Sequence, residues 1–367
     1  MWSWQRLVRP AAVVAALLVE PVLVGGPVAA AGCDQPPSAI YVPACGAWQG
    51  VAPDVQTLAE FESTIGQRAQ IYHEFLTFQS HDSPTKPFPK PAAREAIDGG
   101  RMYLFNLKPR NSAGTIYPWA DVASGGHDGE LHALMANIAQ WAATAGGRKV
   151  FLAFHHEPED DVGAYGTAAD YVAAYRHLVD LAVADGVRGS LIFVWDMTGY
   201  QRRVHEWNEL YPGDGYVDWL GYDPYGGLCT GTGAPGGLAT TLGGTGPGVD
   251  DSSEYRFYAW ATGAGARDAD GSVWAKPGDP GKPIMLAEWA TKGADGGSEA
   301  DQVQFYRDAE RLVVEQGRYP QIKAFVHWQG SECNAFVGRP AAAQAYHDLV
   351  ATPYFNPPLP YPAAGGQ

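Results

Sequence analysis

Short, nearly continuous apolar runs recur along the chain and alternate with longer stretches patterned at helical spacing. The runs fall near residues 42–48, 69–77, 101–107, 149–154, 190–196, 216–222, 283–287 and 322–328. Lys149-Val150-Phe151-Leu152-Ala153-Phe154 and Leu191-Ile192-Phe193-Val194-Trp195 carry almost no polar residue, the pattern of strands buried on both faces. Between the runs, residues 130–142 place Leu131, Leu134, Ile138 and Trp141 on one helical stripe. Residues 170–184 do the same with Val172, Tyr175, Leu178, Val179 and Ala182, and 300–315 and 341–350 keep the period. Strands alternating with helices in this way predict an α/β fold, a (β/α)8 TIM barrel in one domain over residues 33–351. No GxGxxG follows the first strand and no P-loop pattern occurs, so nucleotide sites lose their usual signature.

Composition narrows what such a barrel holds. A chain of 367 residues is within the span of one barrel, and 46% hydrophobic with 12% aromatic residues fills a large core. Lys and Arg number 25 against 40 Asp and Glu, a net charge of −15 that argues against nucleic acid and anionic membranes as partners. The 45 Gly and 28 Pro beside only 18% charged residues predict long, turn-rich loops. Twelve Trp, 19 Tyr and 13 Phe are more rings than a core needs, and rings stack on sugars.

Residues 1–32 read as an export signal: Arg6 and Arg9 in a short head, an apolar run from Ala11 to Val19, and small residues before Cys33. Glu20 and Pro21 break the apolar run, so no membrane insertion is expected. The expectation is a secreted protein, with lipid anchoring through Cys33 as the lesser alternative. Cys33, Cys45, Cys229 and Cys333 are disulfide candidates whose three pairings stay open. Cys33 with Cys45 would close a short loop, and Cys229 with Cys333 would tie two late loops. No CxxC is present to suggest a zinc or redox site, and His127, His155, His156 and His205 make no convincing metal-ligand set. Residues 226–250 read as loop, and 352–367 as a Pro/Gly-rich tail packing as an extended terminus.

In a barrel the chemistry gathers at the carboxyl ends of the strands. The fourth predicted strand ends in Phe154-His155-His156-Glu157-Pro158, and the seventh in Leu286-Ala287-Glu288-Trp289. Each places a carboxylate where an apolar strand opens onto that face. A retaining glycosidase needs such a pair about 5 to 5.5 Å apart, one as acid and one as nucleophile. The alternative is a pair of structural, salt-bridged carboxylates. Pro158 is expected to hold Glu157 in an extended backbone.

Around these residues the chain resembles glycoside hydrolase family 26. The resemblance runs over roughly residues 45–350, through Trp119-Ala120-Asp121-Val122-Ala123, His156-Glu157, Phe193-Val194-Trp195, Gly221-Tyr222-Asp223-Pro224-Tyr225, Glu288 and Trp328. It implies a secreted, monomeric, retaining endo-β-1,4-mannanase, needing no metal or cofactor, that cleaves mannan, galactomannan or glucomannan by double displacement. Glu157 would be the acid/base and Glu288 the nucleophile. His156 would hydrogen-bond near the nucleophile and sugar, Tyr225 would donate to the nucleophile, and Trp328 would form the platform under the sugar. Trp195 would line the leaving-group side, with a core tryptophan as the equal alternative. Asp196 would bind a sugar hydroxyl, with a capping carboxylate as its alternative. Two departures stand out, Trp289-Ala290 after the nucleophile and Asp196-Met197 after the strand-five aromatic. Competing readings are a β-1,3-xylanase, a mixed-linkage β-glucanase, or a non-catalytic carbohydrate-binding barrel.

Overall fold

The computed structural model describes residues 35–361, apart from 84, 201–202, 228–235, 244–255, 268–270 and 295–296. The expected leader at 1–32, Cys33, Cys229 and most of the 226–250 loop lie outside the described residues. Eight parallel strands close into a barrel: β1 (Trp48–Ala52), β2 (Ile71–Thr77), β3 (Met102–Lys108), β4 (Val150–Phe154), β5 (Leu191–Met197), β6 (Trp219–Tyr222), β7 (Ile284–Trp289) and β8 (Ile322–Trp328). β8 returns to β1 in register from Trp48 opposite Ala324 to Ala52 opposite Trp328. Helices Leu58–Ile65, Pro91–Asp98, Asp128–Ala142, Ala168–Ala184, Glu299–Ala309 and Pro340–Val350 are among those that follow the strands. The fold class is as expected.

Alternation along each strand divides the apolar side chains into two populations. In β4, Phe151 and Ala153 fill the barrel interior, whereas Val150, Leu152 and Phe154 join the shell against the helices. In β5, Ile192 and Val194 face inward and Leu191, Phe193 and Trp195 outward. The predicted helices form largely on their expected spans. Ala168–Ala184 starts at a capping box in which Thr167 and Asp170 satisfy each other's backbone donors. It buries Tyr171 and Tyr175 against β4 and β5.

The first strand differs from expectation. The run 42–48 reads as a strand, yet β1 is Trp48–Ala52 and the residues before it close the bottom of the barrel. Tyr41 takes a positive φ of 56°, and its hydroxyl oxygen accepts from the Lys149 N–H at 2.7 Å. The Trp219 indole donates to the Ile40 carbonyl at 2.7 Å. A hydrophobic run can thus plug a sheet end as well as pair within the sheet, and periodicity does not separate the two. The tail joins the same plug. After a 3-10 turn at Pro353–Phe355, Tyr361 donates to the Arg101 carbonyl at 2.6 Å, packs on Tyr41 and lies under the Arg148 guanidinium. Cys45 and Cys333 each take part in a disulfide. Among the described residues no helix is long and apolar enough to cross a membrane.

Tyr361→Ala removes a ring, a hydrogen bond and a cation–π contact from this plug. Full aromatic truncation in a core costs about 3–5 kcal/mol, and this ring is partly exposed, so a loss of about 2 kcal/mol is expected in denaturant unfolding. An unchanged midpoint would mean that the tail does not hold the barrel end.

Candidate active site

The polypeptide leaves β4 through a strained turn. His155 and Glu157 both have positive φ, 46° and 54°, on either side of His156. The expectation of an extended Glu157 is therefore wrong: its φ and ψ are 54° and 46°, in the left-handed region. Pro158 disfavours the right-handed region for the residue before it. The remaining choice is settled by a hydrogen bond, since Glu157 N–H donates to the Asp196 carbonyl of β5 at 3.0 Å. Pro158 then opens the helical turn Pro158–Asp161.

His155 points into the wall. Its Nδ1 accepts from the Trp119 indole N–H at 2.8 Å, so its Nε2 carries the hydrogen and donates to Asp161 at 2.7 Å. Asp161 also binds Lys108 at 2.8 Å. Burial acts to raise Asp161, but His155 and Lys108 outweigh it and hold the carboxyl below the usual range. Lys108 ends β3 and is thereby fixed beside the site.

His156, expected to hydrogen-bond near the nucleophile and the sugar, makes no hydrogen bond to Glu288. Its ring lies 5.2 Å from that of Phe75, and its Nδ1 is buried without a hydrogen-bond partner. Burial first, then the charge of Lys108, keeps the imidazole neutral. Glu288, at the end of β7, is reached from two sides. Its N–H donates to Asp223 Oδ1 at 2.8 Å, and its Oε2 accepts a short hydrogen bond from the Tyr225 hydroxyl. Tyr225 lies just past β6 in a bridge to Ala290, and its ring meets Trp328 edge-on at 5.6 Å. Trp328 is partly exposed at the end of β8. Gly330 packs under its indole, where an added Cβ would lie 2.0 Å from the ring.

Two expected contacts fail. Trp195 is fully buried on the outer face of β5, packed on Tyr211, Phe257 and Trp260, with its indole N–H on the Leu210 carbonyl at 3.1 Å. It lines no cleft. Asp196 faces inward but is 0% exposed, and neither carboxylate oxygen has a hydrogen-bond partner. It opposes Gly221 of β6, where a side chain would meet its oxygen at 2.5 Å. A sugar hydroxyl does not reach it in this arrangement.

The carboxylates form a like-charged group in a dry place. Burial and then the charge of Glu288 push Glu157 well above the usual range, with Glu159 and Asp196 adding to it. Asp196 and Asp223 are likewise driven up, chiefly by burial. Glu288 is pushed up to about 7 by burial, against the Tyr225 hydroxyl and the Lys108 charge. Glu159 also reaches about 7 through burial, although its Oε1 accepts from both the N–H and the hydroxyl of Thr198 at 2.8 and 2.7 Å. Lys108, Glu159, Thr198 and Phe75 were not singled out from sequence. The period-2 alternation of β2 and β3 would have found Phe75 and Lys108, since both point up the inner face. Among the described residues no group of three His, Cys, Asp or Glu side chains could hold a metal ion.

The family model described as glycosyl hydrolase family 26 matches residues 119–234. The resemblance to family 26 is borne out. The matched family 26 segment contains Glu157, Asp196 and Tyr225, and ends before Glu288 and Trp328. Endoglucanase H of Acetivibrio thermocellus is 27% identical over 194 residues, 49% of this chain and 19% of that protein. The chain thus spans about a fifth of that relative's length. Among solved structures, a Cellulomonas fimi endo-β-1,4-mannanase double mutant is 16% identical with a TM-score of 0.55, over 84% of this chain and 71% of that one. The catalytic domain of a family 26 endo-β-1,4-mannanase from Bacillus sp. JAMB-750 gives 15% and 0.55, over 84% and 86%. At these identities the likeness is one of fold.

The raised carboxyls have a consequence for stability. Glu288 and Glu159, at about 7, and the higher Glu157, Asp196 and Asp223 keep protons that the unfolded chain gives up. A raised folded pKa stabilises at low pH and loses that effect as pH climbs through it. Their contribution to the melting temperature should therefore decline as pH climbs from about 4.5, the unfolded glutamate value, through about 7. Buried His73 and His327 at about 3, and His155 at about 4, refuse protons that unfolded histidines accept, so stability also falls on the acid side of about pH 6.5. Glu159→Gln keeps an acceptor for Thr198 and removes one titrating group, so the decline between about pH 4.5 and 7 should flatten. Thermal unfolding against pH checks this, and an identical decline in the variant would refute it.

Proposed function

We propose that the protein is a secreted, monomeric, retaining endo-β-1,4-mannanase. The observation that carries this reading is the electrostatic pairing of Glu157 and Glu288 at one mouth, with distinct partners for each. Glu288 accepts the Tyr225 hydroxyl and lies within the field of Lys108, both of which favour its ionised form. It attacks the anomeric carbon. Glu157 holds its proton tightly and delivers it to the departing glycosidic oxygen. Once Glu288 is esterified its charge is gone, and Glu157 loses proton affinity and serves as base for the water that releases the product. Trp328 gives the apolar face on which the sugar at the cleavage point rests. Residues 1–32 serve export in this reading.

The mannan substrate is supported by the solved structures of similar fold, several of which are endo-β-1,4-mannanases. A mixed-linkage β-glucan is the second reading, favoured by the similarity to an endoglucanase.

Purified protein incubated with locust bean galactomannan, konjac glucomannan, β-1,3-xylan and barley β-glucan should release oligosaccharides from the two mannans. Glu288→Ala should abolish the release. Glu157→Gln should slow polysaccharide cleavage by about 10²–10⁴-fold while sparing aryl glycosides whose leaving group needs no proton. Release only from barley β-glucan would keep the mechanism and replace the substrate. Full activity of Glu157→Gln on polysaccharide would sink the acid assignment.

Lys108→Met removes a charge that favours ionised Glu288, so the acid limb of kcat/KM should move to higher pH. The alkaline limb, set by Glu157, should move less. An acid limb that stays in place would place the relevant countercharge elsewhere.

A further inference from the structure

Phe75 is the one aromatic among the large apolar side chains left exposed in the described residues, at 42%. Its neighbours on β2 make this exposure informative. Leu76 is 2% exposed and packs in the outer shell, while His73, two residues back, is 1% exposed on the inner face. Alternation puts Phe75 on that same inner face, one layer higher, at the rim. Its ring lies 4.6 Å from His73 and 5.2 Å from His156, the residue before Glu157. It therefore stands inside the mouth, beside the carboxylates, with much of its surface bare.

The opposite boundary of this wall is Trp328. The strands run β8, β1, β2 around the barrel, so one strand separates the two rings. That strand carries Gly50 and ends in Ala52, directly opposite Trp328. Two strand spacings amount to about 10 Å, and the residues between offer no bulk. The wall is an aromatic face, a strip of small side chains, and a second aromatic face. An exposed phenyl ring contributes nothing to folding by staying wet. It gains when the C–H face of a pyranose covers it.

Resting on the reading of this mouth as a polysaccharide hydrolase site, we propose that Phe75 is a second sugar platform. It stacks on a hexopyranose unit of the same β-linked chain, away from the unit that rests on Trp328. The site then grips an oligosaccharide segment instead of one residue, and long substrates are preferred over short ones. Phe75 binds and takes no part in bond making.

The test compares Phe75→Ala, Phe75→Leu and Phe75→Trp with wild type, on galactomannan and on a short aryl β-glycoside. Aromatic stacking of about 0.5–1.5 kcal/mol corresponds to roughly two- to tenfold in affinity. Phe75→Ala should raise KM on the polymer by that factor, with the loss falling on KM and not on kcat. Phe75→Leu, apolar but without a flat face, should behave like Ala, and Phe75→Trp should restore KM. The aryl glycoside should notice none of these changes. An unchanged KM in Phe75→Ala overturns the platform. So does an equal loss on both substrates, or full rescue by Leu, since either points to a ring that merely shields His156. Calorimetry of mannohexaose and cellohexaose on Glu288→Ala, with and without Phe75→Ala, separates the two levels of the argument. If wild type cleaves no glycan the hydrolase reading falls, whereas the calorimetric difference still decides whether Phe75 holds sugar.

Discussion

Closure of the sheet between β8 and β1 is the constraint on which the rest depends. With Trp48 opposite Ala324 and Ala52 opposite Trp328, the first and last strands complete the ring. Residues distant in sequence then end at one mouth, as Glu157 after β4 and Glu288 in β7 do. Closure also forces each strand to serve two environments, because one face meets the helices and the other the barrel interior. Adjacent residues of β5 show the result. Trp195 belongs to the outer shell and Asp196 to the interior, with no freedom to exchange. Moving up the inner face, the filling changes from Ile71, Leu104 and Phe151 to His73, Asn106 and Asp196. The chemistry begins where the apolar layers stop.

That transition makes protons the main currency of the site. Glu157, Glu159, Asp196, Asp223 and Glu288 crowd a region from which most water is excluded, and burial is the leading cause of the rise in each. Lys108 is the cation that bears on Glu288, and it is already held by Asp161. Ionising all five would be prohibitive, so the group settles its charge unevenly. Glu288 has the Tyr225 hydroxyl and the Lys108 field to offset its burial, whereas Glu157 faces like charges. Two carboxyls whose surroundings drive their proton affinities apart are equipped for different roles.

Much of this was legible in sequence where one residue type had one structural use. Nearly continuous apolar runs located seven of the strands within a few residues, and a Glu at or shortly after the end of such a run singled out both candidate carboxylates. Tyr225 and Trp328 came from the resemblance to family 26. Legibility failed where an apolar or polar residue has two uses. The chain before β1 packs as a plug through Ile40, Tyr41 and Val42, and Trp195 is an aromatic of the shell with its N–H spent on Leu210. Asp196 is polar and inward, yet too deep to touch a ligand. Glu159 matters through its position relative to Thr198 past β5, which barrel register decides and local sequence does not. The backbone of Glu157 was misjudged for a similar reason. Pro158 restricts its predecessor, but the choice between an extended and a left-handed conformation came from the carbonyl of a neighbouring strand.

The turn after β4 holds its backbone under strain. Left-handed backbone at a non-glycine residue costs on the order of 1 kcal/mol or more, and this turn contains two such residues around His156. Such geometry persists only where several contacts enforce it. Here His155 is held by Trp119, Asp161 and the Leu107 carbonyl, Glu157 by the Asp196 carbonyl, and Glu159 by Thr198. Two neighbouring strands, Trp119 and one helical turn thus fix a tripeptide. An acid that must deliver a proton along one direction gains from a backbone that cannot relax. The buried carboxyls of Asp196 and Glu159 follow from the same design. Asp196 offers its carbonyl to aim Glu157, and Glu159 anchors the turn that follows. Their side chains are carried into the interior as a consequence, where their charges add to the rise that burial and then Glu288 impose on Glu157.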